Sequence, residues 1–192
     1  PLKTADGTAI VARMSKVAFD TAGNGYFIGA ADGRPVYVRL PRGSDVFEAY
    51  PIPGNGSFDI EQFSGHNTPA GPPPFVRLVR TEKDPKLMWR SLNNLDLFLP
   101  REDNGAVAVG EPVPVTRQCI GISSHSGIPS SIVSRGSRVH LVWGEATDPE
   151  ADVPGVPTFA ATWDRDTAAL GEPVLIGYGP PANDGHNSPC IT

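Results

Sequence analysis

The chain predicts an all-β fold built from repeated four-stranded antiparallel sheets, and three observations carry that prediction. Gly65-His66-Asn67-Thr68-Pro69 and Gly185-His186-Asn187-Ser188-Pro189 are near copies, with His125-Ser126-Gly127-Ile128-Pro129 midway, so Pro69, Pro129 and Pro189 recur at a period of 60. A second marker keeps almost the same step: Gly110-Glu111-Pro112-Val113 returns as Gly171-Glu172-Pro173-Val174, 61 residues on. Finally, apolar residues make up 39 % of the 192 and stand in short runs punctuated by 21 Gly and 21 Pro, with no helical period. Self-similarity at a fixed step marks a repeat architecture. A four-stranded unit repeated in this way is the blade of a β-propeller. A β-sandwich also has many short strands but does not account for the period.

The strands follow in order. In the first blade, about residues 10–54, Lys16-Val17-Ala18-Phe19 turns at Gly23-Asn24-Gly25 into Tyr26-Phe27-Ile28-Gly29. Asp32-Gly33 then leads to Pro35-Val36-Tyr37-Val38-Arg39-Leu40, and Phe47-Glu48-Ala49-Tyr50 closes the unit. The second blade, about 64–116, is expected to use Phe75–Val79, Lys86–Arg90, Leu95–Leu99 and Pro112–Val115. The third, about 124–177, has Ser130–Val133, a turn at Ser134-Arg135-Gly136-Ser137, the alternating strand Arg138–Trp143, then Thr158–Trp163 and Glu172–Gly177. Alternation of apolar and polar positions is the period of a half-buried strand, and the Gly, Pro and Asp clusters between runs are turn chemistry. Breaks are expected near 55–68 and 117–129, and a fourth blade is expected to begin at about 186–192.

About three blades do not close a ring, since propellers have roughly 4 to 8. Further blades are therefore expected, from more sequence or from other chains.

Composition excludes several functions. A net charge of −5 without a Lys/Arg block gives nucleic acid no electrostatic footprint, and an acidic membrane no attractor. No run of 18 apolar residues exists, and the first 30 residues lack a charged start followed by an apolar core. Cys119 and Cys190 read as buried free thiols, and no Cys/His cluster has zinc spacing, so neither a cofactor nor a catalytic metal is expected.

The repeat also points to a site. Each histidine-bearing marker is expected just before the first strand of its blade, where equivalent loops converge around a ring axis, so His66, His125 and His186 are expected to share one funnel. Concave sites with converging polar groups are the default binding sites, and histidine moves protons near neutral pH. Tyr178, shortly upstream of the last marker, is expected near the same funnel. Arg39, Arg77, Arg90 and Arg135 are candidates to meet an anionic ligand. His140, between Val139 and Leu141 in mid-strand, reads instead as a hydrogen-bonded structural histidine.

Asp184-Gly185-His186-Asn187-Ser188-Pro189, opening a strand in an all-β repeat with Ser131-Ile132-Val133 and Arg138-Val139-His140-Leu141-Val142-Trp143 behind it, resembles the BNR-repeat propellers related to ulvan lyases and propeller-type rhamnosyl-glucuronidases. The resemblance covers most of the chain at repeat level. Its specific part is the short Asp-x-His-Asn-x-Pro string. It implies a secreted or periplasmic carbohydrate-active protein acting on an acidic polysaccharide or oligosaccharide. His186 is the match for the catalytic histidine, with His66 the second and poorer match because Ser64-Gly65 replaces the acidic position. Asn187, Asn67, His125, Tyr178 and Arg135 are then expected to bind substrate.

β-Elimination from a uronate needs a cation on the carboxylate, a base for the C5 proton and an acid for the leaving oxygen. Histidine, arginine and tyrosine meet those needs. A two-carboxylate glycosidase would need facing acids; Asp184, Asp59 and Glu61 are available, but no spacing pairs them. A non-catalytic glycan- or protein-binding propeller is the other function class the sequence allows.

Overall fold

The computed structural model describes residues 2–12, 16–60, 70–82, 92–120, 130–148, 150–179, 189 and 191. Among them there is no helix, and seventeen strands form antiparallel sheets.

The first sheet contains β1 (Leu2–Lys3), β2 (Ala9–Ala12), β3 (Ala18–Phe19), β4 (Gly25–Ala31), β5 (Arg34–Leu40) and β6 (Glu48–Pro51). Four of these are the strands expected from the sequence, in the order β3-β4-β5-β6, and β2 pairs with the far half of the same edge of β4. The β4–β5 hairpin turns at Asp32-Gly33, both at positive φ (50° and 76°). That is the primed-turn geometry matching the twist of the flanking strands.

This sheet is not flat. Thr4 bridges to Phe47 in parallel, with the Phe47 amide 3.2 Å from the Lys3 carbonyl, so the sheet curls into a half-barrel. Its concave face holds Ile10, Phe27, Val36 and Val38, with Leu2 and Phe47 partly buried against them. Gly29 lets β2 approach β4 here: a Cβ on it would lie 3.1 Å from the Val11 carbonyl oxygen and 3.2 Å from an Ile10 methyl. Period-2 alternation sends Tyr26, Ile28 and Tyr37 to the opposite, convex face.

The second sheet has the order β12-β9-β8-β7, from β7 (Ser57–Ile60), β8 (Phe75–Glu82), β9 (Leu92–Phe98) and β12 (Val113–Cys119). Between β9 and β12 a separate hairpin, β10 (Arg101–Asp103) and β11 (Ala106–Ala108), turns at Asn104-Gly105. Ser57–Ile60 falls in the stretch expected as a break, yet it pairs with β8, because Ile60 is fully buried opposite Phe75. The expected strand Lys86–Arg90 lies outside the described residues.

The third sheet follows its expectation strand by strand: β13 (Ser130–Arg135), β14 (Arg138–Gly144), β15 (Pro157–Asp164) and β17 (Val174–Tyr178), with the two-residue β16 (Ala169–Leu170) sharing an edge of β15. The repeated Gly-Glu-Pro-Val leads into the fourth strand of both the second and third sheets, β12 and β17.

The three sheets stack, with the second in the middle and buried on both faces. Phe75 and Phe98 meet Tyr26, Ile28 and Tyr37 of the first sheet. Val76, Leu78, Leu95 and Leu97 meet Ile132, Val139, Leu141 and Trp143 of the third. An aromatic ladder runs through the first interface: Tyr26–Tyr37 ring centroids are 5.6 Å apart, Tyr37–Phe75 5.5 Å and Phe75–Phe98 4.6 Å with planes 4° apart. Each polar tip is satisfied, with Tyr26 donating to Asp20 and Tyr37 to the Pro73 carbonyl. Burial of an aromatic of this kind contributes about 1.5–3 kcal/mol, so the ladder is a principal bond between the first two sheets.

Candidate functional site

The ends of the strands decide which connections can meet. In the third sheet, Ser130 pairs with Trp143, Gly144 with Thr158 and Pro157 with Tyr178, so these residues share one end. Ile120 joins them, its amide donating to the Gly144 carbonyl at 3.0 Å, and the Gly179 amide donates to Val156 at 2.8 Å. The connection bearing His125 therefore leaves from Ile120 and returns at Ser130, and the chain bearing His186 departs from Gly179, all at the Tyr178 end.

The connection bearing His66 differs. It leaves Ile60 and returns before Phe75, at the end of the second sheet where Phe98 and Val113 lie. Cys119, from which the chain passes on to Ile120, is at the opposite end of that sheet. The physical reason is β7: because Ser57–Ile60 pairs as the first strand, this marker sits inside a hairpin and not ahead of its sheet. His66, Asn67, His125, His186 and Asn187 themselves lie outside the described residues.

Tyr178 is nearly half exposed (46 %) at the gathered end. Arg135 is exposed at the other end, paired across the hairpin with Arg138. β13 is six residues long, which at roughly 3.3 Å per residue separates the two ends by about 17 Å. Tyr178 and Arg135 therefore do not meet on one small ligand.

Two other arginine candidates are committed to the fold. Arg39 donates to Glu48 at 2.5 Å and to the Gly105 carbonyl at 2.5 Å, fastening the β10–β11 hairpin to the first sheet. Burial opposes the Glu48 carboxylate, but hydrogen bonds from Arg39 and Tyr50 outweigh it and hold Glu48 below the usual carboxylate range. Arg77 donates to Asp96 at 3.0 Å and to the Pro53 carbonyl at 2.6 Å, and lies 5.1 Å over the Phe98 ring. Arg90 lies outside the described residues. Of the three acids a glycosidase reading would draw on, Asp59 is in a 2.6 Å ion pair with Lys16; Glu61 and Asp184 lie outside the described residues.

The sequence did not single out Glu145, the carboxylate that joins the second and third sheets at the Tyr178 end. Its Oε1 accepts from Thr116 Oγ1 at 2.8 Å and from Trp143 Nε1 at 3.2 Å. The only signal was that it follows a strand ending in Trp143-Gly144. Beside it, Cys119 is a free and fully buried thiol, which burial and then the Glu145 charge push far above the ordinary thiol range. His140 has the hydrogen bond expected of it, its Nδ1 2.9 Å from Thr162 Oγ1.

Among the described residues, no three or more His, Cys, Asp or Glu side chains are grouped so as to hold a metal ion. Comparison with protein-family models, curated proteins and solved structures finds no match.

Proposed function

We propose that the chain forms consecutive blades of a carbohydrate-active β-propeller of the BNR-repeat kind, acting as a lyase on a uronate-containing polysaccharide. The observation that carries this reading is that Ile120 and Ser130, which flank the His125-bearing connection, and Gly179, from which the chain runs on toward His186, all lie at the Tyr178 end of the third sheet. A base, an acid and a hydrogen-bonding amide are then available at one sheet end: His186 takes the C5 proton, Tyr178 or His125 protonates the leaving oxygen, and Asn187 binds a hydroxyl. Face-to-face stacking of three antiparallel sheets, of six, four and five strands and each containing four strands paired in chain order, supports the blade arrangement. His66 and Asn67, borne by a connection at the other end of the second sheet, take a secondary role.

A second reading is favoured by one specific observation. Arg39 and Arg77 are spent in structural pairs and Arg135 is at the far end of the third sheet, so none of these three arginine candidates stands free at the Tyr178 end to neutralise a uronate. A non-catalytic glycan-binding propeller has no such need.

The test is incubation of the full chain with a panel of uronate polysaccharides, following the absorbance of the unsaturated uronate product. Growth of that band in wild type and its loss in His186→Ala supports the lyase. Retention of the polymers on affinity gels without any unsaturated product supports the binding module.

A further inference from the structure

A cleft of about 770 Å³ opens at the end of the first sheet. Three chain segments wall it: the β1–β2 turn with Thr4, Asp6 and Thr8, the β4–β5 turn with Asp32 and Arg34, and the segment after β6 with Ile52, Gly54 and Asn55. Its volume lies within the roughly 300–1,000 Å³ typical of small-molecule sites.

The walls are set by backbone geometry. Gly7, Asp32, Gly33 and Gly54 all have φ between 50° and 88°, tight-turn conformations that fix the flanking polar groups. Asp6 is held by a hydrogen bond from Thr4 Oγ1 and by the Thr8 amide at 3.1 Å. Those bonds, the Thr4 one foremost, keep its carboxyl below the usual range and therefore ionised. Among the described residues, by contrast, the side chains of Asp32, Arg34 and Asn55 make no hydrogen bond or ion pair. The other polar clusters, at Arg39, Arg77 and Asp20, are held in internal pairs, although Arg77 Nε is buried without a hydrogen-bond partner among the described residues.

We propose that this cleft binds a neutral sugar unit. The cleft mixes acceptors (Asp6, Asp32) with donors (Arg34) and an amide that is both (Asn55), over an apolar floor of Pro35, Val36 and Ile52. An anion would face two carboxylates, and a cation would face the guanidinium. A hydroxyl donates and accepts at once, so a ring bearing several hydroxyls uses the whole set without a charge conflict. The site goes beyond the lyase reading and does not depend on it.

The experiment is amide chemical-shift titration of the full chain with D-glucose, D-galactose, L-rhamnose and D-xylose, beside anionic D-glucuronate and cationic D-glucosamine. At least one neutral sugar should bind with a millimolar Kd, shifting the amides of Asp6–Thr8, Ala31–Arg34 and Gly54–Asn55. Arg34→Ala and Asp32→Gly, the latter keeping a residue suited to positive φ, should each weaken that binding by about tenfold or more at an unchanged Tm. His186→Ala should leave it intact, so loss of the lyase reading and loss of this site are separable. No shift with any neutral sugar, shifts that survive both variants, or tighter binding of glucuronate or glucosamine than of every neutral sugar would overturn the assignment.

Discussion

Arg77 and Asp96 face each other across β8 and β9, Nη2 to Oδ2 3.0 Å, on the face of the second sheet that meets the first. Arg117 closes the other side of the same carboxylate at 2.9 Å. Asp96 is thus the sole anion between two cations, and its side chain is 7 % exposed. The flanking geometry has little slack, because a Cβ on Gly54 would lie 2.6 Å from Arg77 Nη1.

Asp96→Ala should therefore destabilise the chain by about 3–5 kcal/mol, the cost of leaving a buried charge unpaired. Urea unfolding measures it. A loss below about 1 kcal/mol would place the pair in the class of solvent-screened surface bridges.

Phe75→Ala should cost about 3–5 kcal/mol by opening a cavity in the aromatic ladder. Val174→Ser, on the exposed β17 edge, should change stability by no more than about 0.5 kcal/mol. Thermal unfolding of the two variants side by side gives the contrast; equal shifts would contradict the assigned packing.

Burial, with Arg138 and Arg135 adding to it, lowers the pKa of His140 below the ordinary histidine value of 6.5. The folded state thus binds this proton less readily than the unfolded state, so the stability it contributes is full above about pH 6.5 and is lost as pH falls through the lower folded value. Wild type should lose Tm between pH 7.5 and 5, and His140→Gln should lose less over the same interval while starting lower at pH 7.5. An identical pH slope in the variant would show that His140 does not carry the effect.

Cys119 should resist alkylation in the folded chain, because a buried thiol of raised pKa supplies little thiolate. Peptide mass spectrometry after iodoacetamide should find position 119 unmodified in buffer and modified in urea. Rapid native labelling would contradict its burial.

Four of the six strands of the first sheet and four of the five of the third were legible because each is a short run between strong turn signals, as in Arg138–Trp143 after Gly136 and Pro35–Leu40 after Asp32-Gly33; β1, β2 and the two-residue β16 were not. Three further features were not. Ser57–Ile60 is four residues directly after Gly54-Asn55-Gly56 and becomes a strand only through Ile60 burying opposite Phe75, a contact no local pattern announces. The β10–β11 hairpin carried a readable Asn104-Gly105 turn, but its attachment through Arg39 and Gly105 spans 66 positions. The curl of the first sheet depends on a Thr4–Phe47 bridge that alternation cannot encode. The marker repeat was legible as a period and not as a topology: β7 shifts His66 into a hairpin while His125 remains ahead of its sheet. Charge type likewise did not distinguish Arg39 and Arg77, bound into the fold, from the exposed Arg135.

The proposed placing of His125 and His186 at the Tyr178 end is tested most directly by paramagnetic labelling. A nitroxide on Tyr178→Cys, in a Cys190→Ser background, should broaden the imidazole signals of His125 and His186 and spare His66, whereas a nitroxide on Arg135→Cys should spare both His125 and His186. Broadening of His66 from position 178, or of His125 and His186 from position 135 in preference to 178, would contradict the account.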